Sequence, residues 1–151
     1  MSTLALDLGT TTGFAWRVDK KGSVMSGSWK FAPKRHEDAG MRFVRFRTAL
    51  DDMHAACQFT TIYFEEVRRH AGTSAAHIYG GFRAVLKAGC VDHGVAYQSV
   101  PVGEIKKFWT GKGNASKDEM IAEAVRRGHS PEDDNEADAL AILALKLEGT
   151  S

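Results

Sequence analysis

The stretch LALDLGTTTGFAW, residues 4–16, decides the fold, because an apolar run, a glycine turn and a second apolar run follow one another directly. Residues 3–8 predict a buried strand that Gly9 ends. Residues 13–18 and 24–31 predict two further strands, and the polar linker DKKGS between them carries a glycine. The chain therefore opens with a predicted antiparallel meander of three strands.

Beyond this meander, the spacing of the apolar residues becomes helical and then alternates between helix and strand. Residues 60–65 and 95–100 predict two more strands, and residues 74–92 between them carry apolar side chains at helical spacing. Helices before and between these strands imply crossover connections and therefore parallel pairing. The helix before residue 60 places its apolar side chains at Phe43, Phe46, Leu50, Met53 and Cys57.

The last third of the chain is predicted to be helical. Ser116 and Glu119 form a capping box that opens one helix. A final helix from about Asn135 to Leu147 is apolar nearly all round, which predicts that it is buried. The elements sum to a single α/β domain over residues 1–151, with a mixed five-stranded sheet of three antiparallel strands and then two parallel ones, flanked by helices.

The composition fits one globular domain and excludes several classes of protein. The 151 residues are 43% hydrophobic with a formal net charge of +1, which argues against disorder. No apolar run approaches the roughly 18 residues of a membrane helix. The opening MSTLALDLG lacks the basic region of a signal peptide. Because two cysteines are too few for a disulfide framework, we expect a cytoplasmic protein.

The near-neutral net charge conceals an uneven distribution. Residues 17–47 hold nine basic and three acidic side chains, a local charge of +6. Residues 128–151 hold one basic and six acidic side chains, a local charge of −5. This pattern suits a polyanion footprint beside a carboxylate site, and two solvated faces would produce it equally well.

Acidic residues end two of the predicted buried strands. The pleat of the first strand places Asp7 on the face opposite the leucines, and a buried carboxylate is costly unless it is paired or bound to a metal. Glu65 and Glu66 end the run IYFEE, and only one of them can share a face with Tyr63. Taken alone, Asp7 is better explained as an acid that caps the turn at Gly9, and the glutamate pair is explained equally well by an exposed strand end.

Four more acids crowd the start of the final helix, at Asp133, Asp134, Glu136 and Asp138. Capping and the helix dipole account for Asp133 and Asp134, whereas Asp138 lies about one turn inside a mostly apolar helix. Asp134 and Asp138 are four residues apart and therefore share one face. The members of a buried carboxylate pair repel each other unless a cation lies between them.

In combination, these acids predict a site made of carboxylates alone. Oxygen ligands without thiolate or imidazole suit Mg²⁺, with Mn²⁺ as a substitute, rather than structural zinc. Two such ions could hold the attacking and leaving oxygens of a phosphodiester. The loop IKKFWTGKGNASK, residues 105–117, sets lysines and glycines at a helix start, which favours contact with a phosphate over a purely solvated loop.

Four segments resemble a known family in its own order along the chain. LALDLGTTTGFAW, IYFEEV, IKKFWTGKGNASK and NEADALAILAL look like the RuvC family of Holliday-junction resolvases, and more narrowly like the compact versions of phages and prophages. NEADALAI is the most specific piece. DLGTTTG alone is also similar to the phosphate loop of the sugar-kinase and heat-shock-chaperone ATPases.

The resemblance implies a ribonuclease-H-like fold, a homodimer and a nuclease site with two metal ions. The metal ligands of the family fall on Asp7, Glu65 and Asp138. The lysines of the family that bind the scissile and flanking phosphates fall on Lys106 and Lys117. Further DNA contacts are expected from Lys107, Lys112, Arg68 and Arg69.

Two positions depart from the pattern of the family. The usual fourth ligand is an aspartate or histidine three residues before the helix aspartate, and this chain has Asn135 there. Asp134 is the natural substitute, so the fourth ligand is open between Asp134 and Asn135. An aromatic wedge often follows the glutamate motif, whereas this chain reads Arg68-Arg69-His70, which favours a charged clamp.

We therefore expect a metal-dependent endonuclease that resolves four-way Holliday junctions and other branched DNA by two-metal phosphodiester hydrolysis, in a bacterial or phage-infected cell. Asp7, Glu65, Asp138 and Asp134 would form its site. The alternative is a non-catalytic nucleic-acid-binding accessory module on the same fold, which Asn135 at a ligand position supports. An ATPase or kinase is disfavoured, because that architecture needs two such domains facing each other.

Overall fold

The fold is built on one mixed sheet, seen in a computed structural model that describes residues 1–19 and 22–149. The strands within these ranges are β1 (Ser2–Asp7), β2 (Thr11–Val18), β3 (Met25–Lys30), β4 (Thr61–Glu66) and β5 (Ala96–Pro101). Their order across the sheet is β3-β2-β1-β4-β5. β1 pairs antiparallel with β2 and parallel with β4, so the predicted mixed sheet of three antiparallel and two parallel strands is confirmed.

Helices cover both faces of this sheet. They are α1 (Met41–Cys57), α2 (Thr73–His93), α3 (Val102–Thr110), α4 (Lys117–Arg126) and α5 (Asp134–Glu148). Side chains of α1 and α2 pack in one core on one face, and side chains of α3, α4 and α5 pack in a second core on the other. In the described part of the chain, every helix is too short or too polar to span a bilayer.

The pleat of β1 divides its side chains between these two cores. Leu4 and Leu6 are fully buried on the α1–α2 side, whereas Ala5 is fully buried on the α5 side. Burial of each large apolar side chain stabilises the fold by about 1.5–3 kcal/mol. Because alternate residues face opposite sides, Asp7 points to the α5 side, as the sequence pattern predicts.

The largest difference from the predicted elements is α3. Residues 105–117 were expected to form a loop, but their first half belongs to a helix that starts at Val102. Ile105 and Trp109 lie four residues apart on one buried face of this helix. The Trp109 indole donates a hydrogen bond to the carbonyl of Met120 at 3.0 Å, which ties α3 to α4.

The start of α5 also differs by one residue from the prediction. The helix begins at Asp134 rather than at Asn135, and Asp133 is its N-cap. The Asp133 carboxylate accepts a hydrogen bond from the backbone N–H of Glu136 at 2.9 Å. The capping role of Asp133 is therefore confirmed, and the first turn of the helix includes Asp134.

Part of the basic segment at residues 17–47 is paired with acids. Lys20 and Lys21, which the segment and the DKKGS linker share, lie outside the described residues. Four of the other cations form ion pairs, which include Arg17–Glu148, Lys30–Glu132, Arg45–Glu37 and Arg47–Asp92. Part of the charge that suggested a polyanion footprint is thus paired within the protein.

Candidate active site

Three acids from distant parts of the chain meet at one edge of the sheet. Asp7 is the last residue of β1, Glu65 lies one residue before the end of β4, and Asp138 lies in α5. Each offers one carboxylate oxygen, and these three oxygens lie within 4.8 Å of one another. Leu6 pairs with Phe64 across the two parallel strands, so the next residues, Asp7 and Glu65, lie side by side.

Glu65 and Glu66 lie on opposite faces of the sheet. Tyr63 packs against the core on the α5 side, and Glu65, two residues later, shares that face. Glu66 points the other way, and its carboxylate lies 3.5 Å from the Arg68 guanidinium. Of the two acids between which the sequence left a choice, the structure brings Glu65 to Asp7 and Asp138.

A glycine lets α5 approach the sheet closely enough to bring Asp138 to the other two acids. Gly13 pairs with Asp7 in the β1–β2 ladder. A Cβ at Gly13 would lie 1.9 Å from the backbone carbonyl oxygen of Asn135, so any side chain there would push the helix away. The position of Asp138 therefore depends on the absence of a side chain in β2.

Two serines of β3 fasten the first turn of α5. The Ser26 hydroxyl donates to the Glu136 carboxylate and the Ser28 hydroxyl donates to the Asp133 carboxylate, both at 2.7 Å. Glu136 is buried, and it also accepts from the backbone N–H of Glu132 at 2.8 Å. Sequence reasoning did not assign this role to Glu136. The signal was present, because Ser26 and Ser28 are two residues apart and therefore share one strand face.

Burial is the main reason why all three clustered carboxyl groups have raised pKa values. Burial, and then the charges of Glu65 and Asp138, raise the pKa of Asp7 well above its ordinary value. Burial also raises the pKa of Glu65. Burial, with the charges of Glu65 and Asp134, raises the pKa of Asp138 to about 7. The ionised cluster is thus unfavourable until a cation compensates it.

No protein-family model matches the chain, but curated relatives do. One is the crossover junction endodeoxyribonuclease RuvC of Anaeromyxobacter sp. (strain Fw109-5), 28% identical over 150 residues, with 97% of this chain and 73% of that protein covered. Another is the protein of the same name from Anaeromyxobacter sp. (strain K), 32% identical over 107 residues. That match covers 70% of this chain and 58% of the relative.

Solved structures share the fold over almost the whole chain. T. thermophilus RuvC in complex with Holliday junction substrate superposes with a TM-score of 0.81 at 20% identity, and the match covers 99% of this chain and 94% of that one. The chain is similar to RuvC proteins in sequence and shares their fold. A second Thermus thermophilus RuvC structure has a TM-score of 0.70 at 24% identity, covering 94% and 90% of the two chains.

The cluster of this RuvC-like chain could hold a divalent metal ion. All three ligand groups are carboxylates, and hard oxygen ligands suit hard divalent cations. Burial raises the pKa values of Asp7, Glu65 and Asp138, and a bound cation would favour their ionised forms. The donor set therefore fits such an ion.

Two of the predicted lysines lie at this cluster. The charge of Lys106, on α3, lowers the pKa of both Glu65 and Asp138 against the effect of burial. Lys117, the first residue of α4, has its ammonium nitrogen 3.8 Å from the Asp134 carboxylate. Asp134 itself lies outside the three-residue cluster and faces Lys117 at its margin.

The other predicted DNA-binding residues have different surroundings. Lys112 is engaged by the capping-box acid, with its nitrogen 2.9 Å from the Glu119 carboxylate. Lys107 is exposed on α3. Arg68 and Arg69 are exposed after β4, where they line a cavity beside Glu65.

Proposed function

We propose that this RuvC-like chain is a metal-dependent endonuclease that resolves four-way Holliday junctions and also cuts other branched DNA. The observation that carries the proposal is the carboxylate cluster of Asp7, Glu65 and Asp138 on a RuvC-like fold. Two relatives are named crossover junction endodeoxyribonucleases, and one structural neighbour was solved with a Holliday junction substrate. Their names and that complex support the same substrate here.

We propose Mg²⁺, with Mn²⁺ as a substitute, and two ions in each site. Asp7, Glu65 and Asp138 would hold them, and Asp134 is the proposed fourth ligand. When bound, such ions supply Lewis acidity at the phosphoryl oxygens and lower the pKa of water. The protein contributes a preformed set of oxygen ligands, two at the ends of parallel strands and one on α5.

The lysines would place the phosphodiester over this cluster. Lys106 lies close enough to influence Glu65 and Asp138, so it suits the scissile phosphate. Lys117 stands at the start of α4 and suits a flanking phosphate. Water attacks phosphorus and the bond to the 3′ oxygen breaks, so no side chain has to form a covalent bond with DNA.

We further propose that the protein acts as a homodimer in the cytoplasm. Two subunits related by a two-fold axis would present two sites to a junction that has the same symmetry. Such an arrangement would give paired nicks on opposing strands.

The test is cleavage of a labelled synthetic four-way junction beside a linear duplex and a flap, with Mg²⁺, Mn²⁺ or EDTA. We expect symmetric nicks in the junction with either metal and none with EDTA. Glu65→Gln should abolish them, whereas the matched control Asp52→Asn changes an exposed acid of α1 and should cut normally.

Other outcomes would redirect the proposal. Equal cutting of all three substrates would keep the nuclease and remove its junction selectivity. Tight binding with no cut under either metal would contradict the nuclease and support a non-catalytic accessory module. Cleavage by the Glu65→Gln variant at the normal rate would contradict the site.

A further inference from the structure

The hydroxyl of Tyr79, on α2, bonds the main chain at the end of β4, beside the acidic cluster. It donates a hydrogen bond to the carbonyl oxygen of Glu65 at 2.8 Å and accepts a longer one from the backbone N–H of Val67 at 3.4 Å. Tyr79 is buried, and hydrogen bonds away from water are stronger than exposed ones. One hydroxyl thus holds the two successive peptide groups that flank Glu66.

These two peptide groups lie just past the point where β4 loses β1 as its partner. The parallel pairing of β1 with β4 ends at Leu6 and Phe64. In a parallel ladder, one residue of the neighbouring strand bonds the C=O of one residue and the N–H two positions later. The Tyr79 hydroxyl bonds the same pair of groups, so a side chain of α2 extends the ladder beyond the end of β1.

The backbone of Glu65 is therefore fixed on both sides. The β1–β4 ladder fixes the residue before it, and the Tyr79 hydroxyl fixes the peptide group after it. The main chain sets the position of Cβ and so the direction in which the Glu65 side chain leaves the strand. Its carboxylate is one of the three whose oxygens lie within 4.8 Å of one another.

This constraint has a specific task, because two glutamates follow each other at the end of β4. Neighbouring residues of a strand face opposite sides, and a slip of one residue would exchange them. Such a slip would turn Glu66 toward Asp7 and take Glu65 away from it. Because Tyr79 bonds the peptide groups on both sides of Glu66, it opposes this exchange.

The surroundings of Tyr79 keep its hydroxyl in one place and in its protonated form. The ring belongs to the core that α1 and α2 form with the sheet, and the centre of the His70 ring lies 5.2 Å from it. Burial raises the pKa of Tyr79, so the phenol keeps the proton that it donates to the Glu65 carbonyl. Packing thus fixes the hydroxyl relative to the sheet.

We propose that Tyr79 is a positioning residue for Glu65, whose hydrogen bonds keep the Glu65 carboxylate where a divalent cation in the cluster needs it. This inference rests on the proposed function, because that function makes Glu65 a metal ligand. Groups that orient a ligand without touching the metal typically change metal affinity or activity by about 10- to 100-fold. Tyr79 holds the backbone of Glu65 rather than its carboxylate, so we expect about 10-fold, at the lower end of this range.

Three variants separate the hydroxyl from the stability of the fold. Tyr79→Phe removes the hydroxyl and keeps the ring in the core. Tyr97→Phe is the matched control, because it makes the same chemical change at a tyrosine of β5 that is 41% exposed. Leu86→Val is a second control, since it lowers stability by removing one CH₂ group from a fully buried side chain of α2 and leaves the bonds to Glu65 in place.

The first readout is Mn²⁺ binding to the DNA-free protein, followed by the electron paramagnetic resonance of the free ion. We expect Tyr79→Phe to weaken binding about 10-fold, and both controls to bind like the wild type. The second readout is junction cleavage against Mg²⁺ concentration. For Tyr79→Phe the half-saturating concentration should rise about 10-fold, and the rate should recover toward that of the wild type at high Mg²⁺. Melting temperatures in EDTA establish that each variant folds.

The outcomes separate this inference from the proposed function. Equal Mn²⁺ affinities of Tyr79→Phe and the wild type overturn the inference, and junction cleavage by both leaves the nuclease standing. An equal loss of affinity in Leu86→Val also overturns it, because the loss would then follow stability rather than the hydroxyl. Weaker binding by Tyr79→Phe alone, in a protein that cuts no DNA, supports the positioning role and contradicts the nuclease. A wild type that binds no Mn²⁺ overturns both.

Discussion

Glu123 and Asp138 are acids on the neighbouring helices α4 and α5, and the protein surrounds them in opposite ways. The Glu123 carboxylate accepts hydrogen bonds from the Nε atoms of Arg126 at 2.7 Å and Arg127 at 2.8 Å. The hydrogen bond from Arg126 lowers the pKa of Glu123 to about 2. Burial and neighbouring carboxylates raise the pKa of Asp138 to about 7.

The contrast distinguishes acids that stabilise the fold from acids that serve a ligand. Arg126 and Arg127 follow Glu123 by three and four residues, so they lie beside it on α4 and compensate its charge. Asp138 shares hydrogen bonds with Asp7 instead, and the cluster has more acids than cations beside it. A group of this kind is complete only when a cation joins it from outside.

The largest difference in effect is expected between the removal of a clustered acid, Asp7, and the removal of a paired acid, Glu123. Asp7→Asn should lower junction cleavage by about 10³-fold or more, because a divalent ion contributes several kcal/mol of transition-state stabilisation. The same change should raise the melting temperature of the metal-free protein at pH 8, since it removes a buried repulsive charge.

Glu123→Gln is the matched change on the paired side. It should leave cleavage unaltered and lower the melting temperature, because the guanidinium groups of Arg126 and Arg127 lose the Glu123 carboxylate. Rates on a labelled junction and thermal melts in EDTA measure both effects. A lower melting temperature for Asp7→Asn would show that its charge stabilises the fold and would remove the contrast.

The second test moves the helix that carries Asp138. Gly13→Ala places a methyl group in the space of the Asn135 carbonyl oxygen, so α5 must shift. We expect a loss of about 1–3 kcal/mol of stability, as for other overpacked sites, and a larger proportional loss of cleavage. Gly80→Ala, whose Cβ meets nothing within 4 Å, is the control and should melt no lower than the wild type. Normal cleavage by Gly13→Ala would disprove the role of this close approach.

The third test compares a lysine that faces the acidic cluster with a lysine that is already paired with an acid. Lys106 faces the acids of the cluster, whereas Lys112 is already paired with Glu119. Lys106→Ala should weaken junction binding about 10-fold and reduce the slope of log affinity against log salt by about one. Lys112→Ala should have a smaller effect on both. Binding titrations at several salt concentrations measure the difference, and equal effects would place the two lysines in one binding surface.

The smallest effect concerns pH in the absence of metal. Asp7, Glu65 and Asp138 have higher pKa values in the folded state than their ordinary values, so the folded state binds protons more tightly. The stabilising contribution of Asp138 is complete below about pH 4 and is lost as the pH rises through about 7, and those of Asp7 and Glu65 are likewise lost as the pH rises.

The measurement compares melting temperatures of the wild type and Asp138→Asn between pH 5 and pH 8 in EDTA. The wild type should lose a few degrees relative to the variant over this range. Mg²⁺ should reduce that relative loss, because a bound cation favours the ionised carboxylates. A constant difference between the two proteins would show that Asp138 titrates normally.

Local patterns of the sequence predicted much of the fold, and the resemblance to the RuvC family supplied the choice of Asp7, Glu65 and Asp138. The pleat places Asp7 away from the leucines, and the face of Tyr63 selects one acid of the IYFEE run. These inferences need only the residues of one strand. They held because neighbouring residues of a strand face opposite sides in any sheet.

What the sequence did not predict depends on contacts between distant residues. Ser26 and Glu136 are 110 positions apart, and nothing in either segment names its partner. The close approach at Gly13 likewise requires knowledge of where α5 crosses β2. The helix α3 was missed for a different reason, since the glycines and lysines around Lys112 suggested a loop and concealed the helical spacing of Ile105 and Trp109.

The three acids of the site are synthesised at widely separated times, because they lie far apart along the chain. Asp7 lies near the beginning of the sequence, Glu65 near its middle, and Asp138 on the last described helix. Until α5 has left the ribosome and settled on Gly13, the nascent chain has two acids at the sheet edge and lacks the third. A partly synthesised or partly folded copy therefore lacks the complete cluster of three carboxylates.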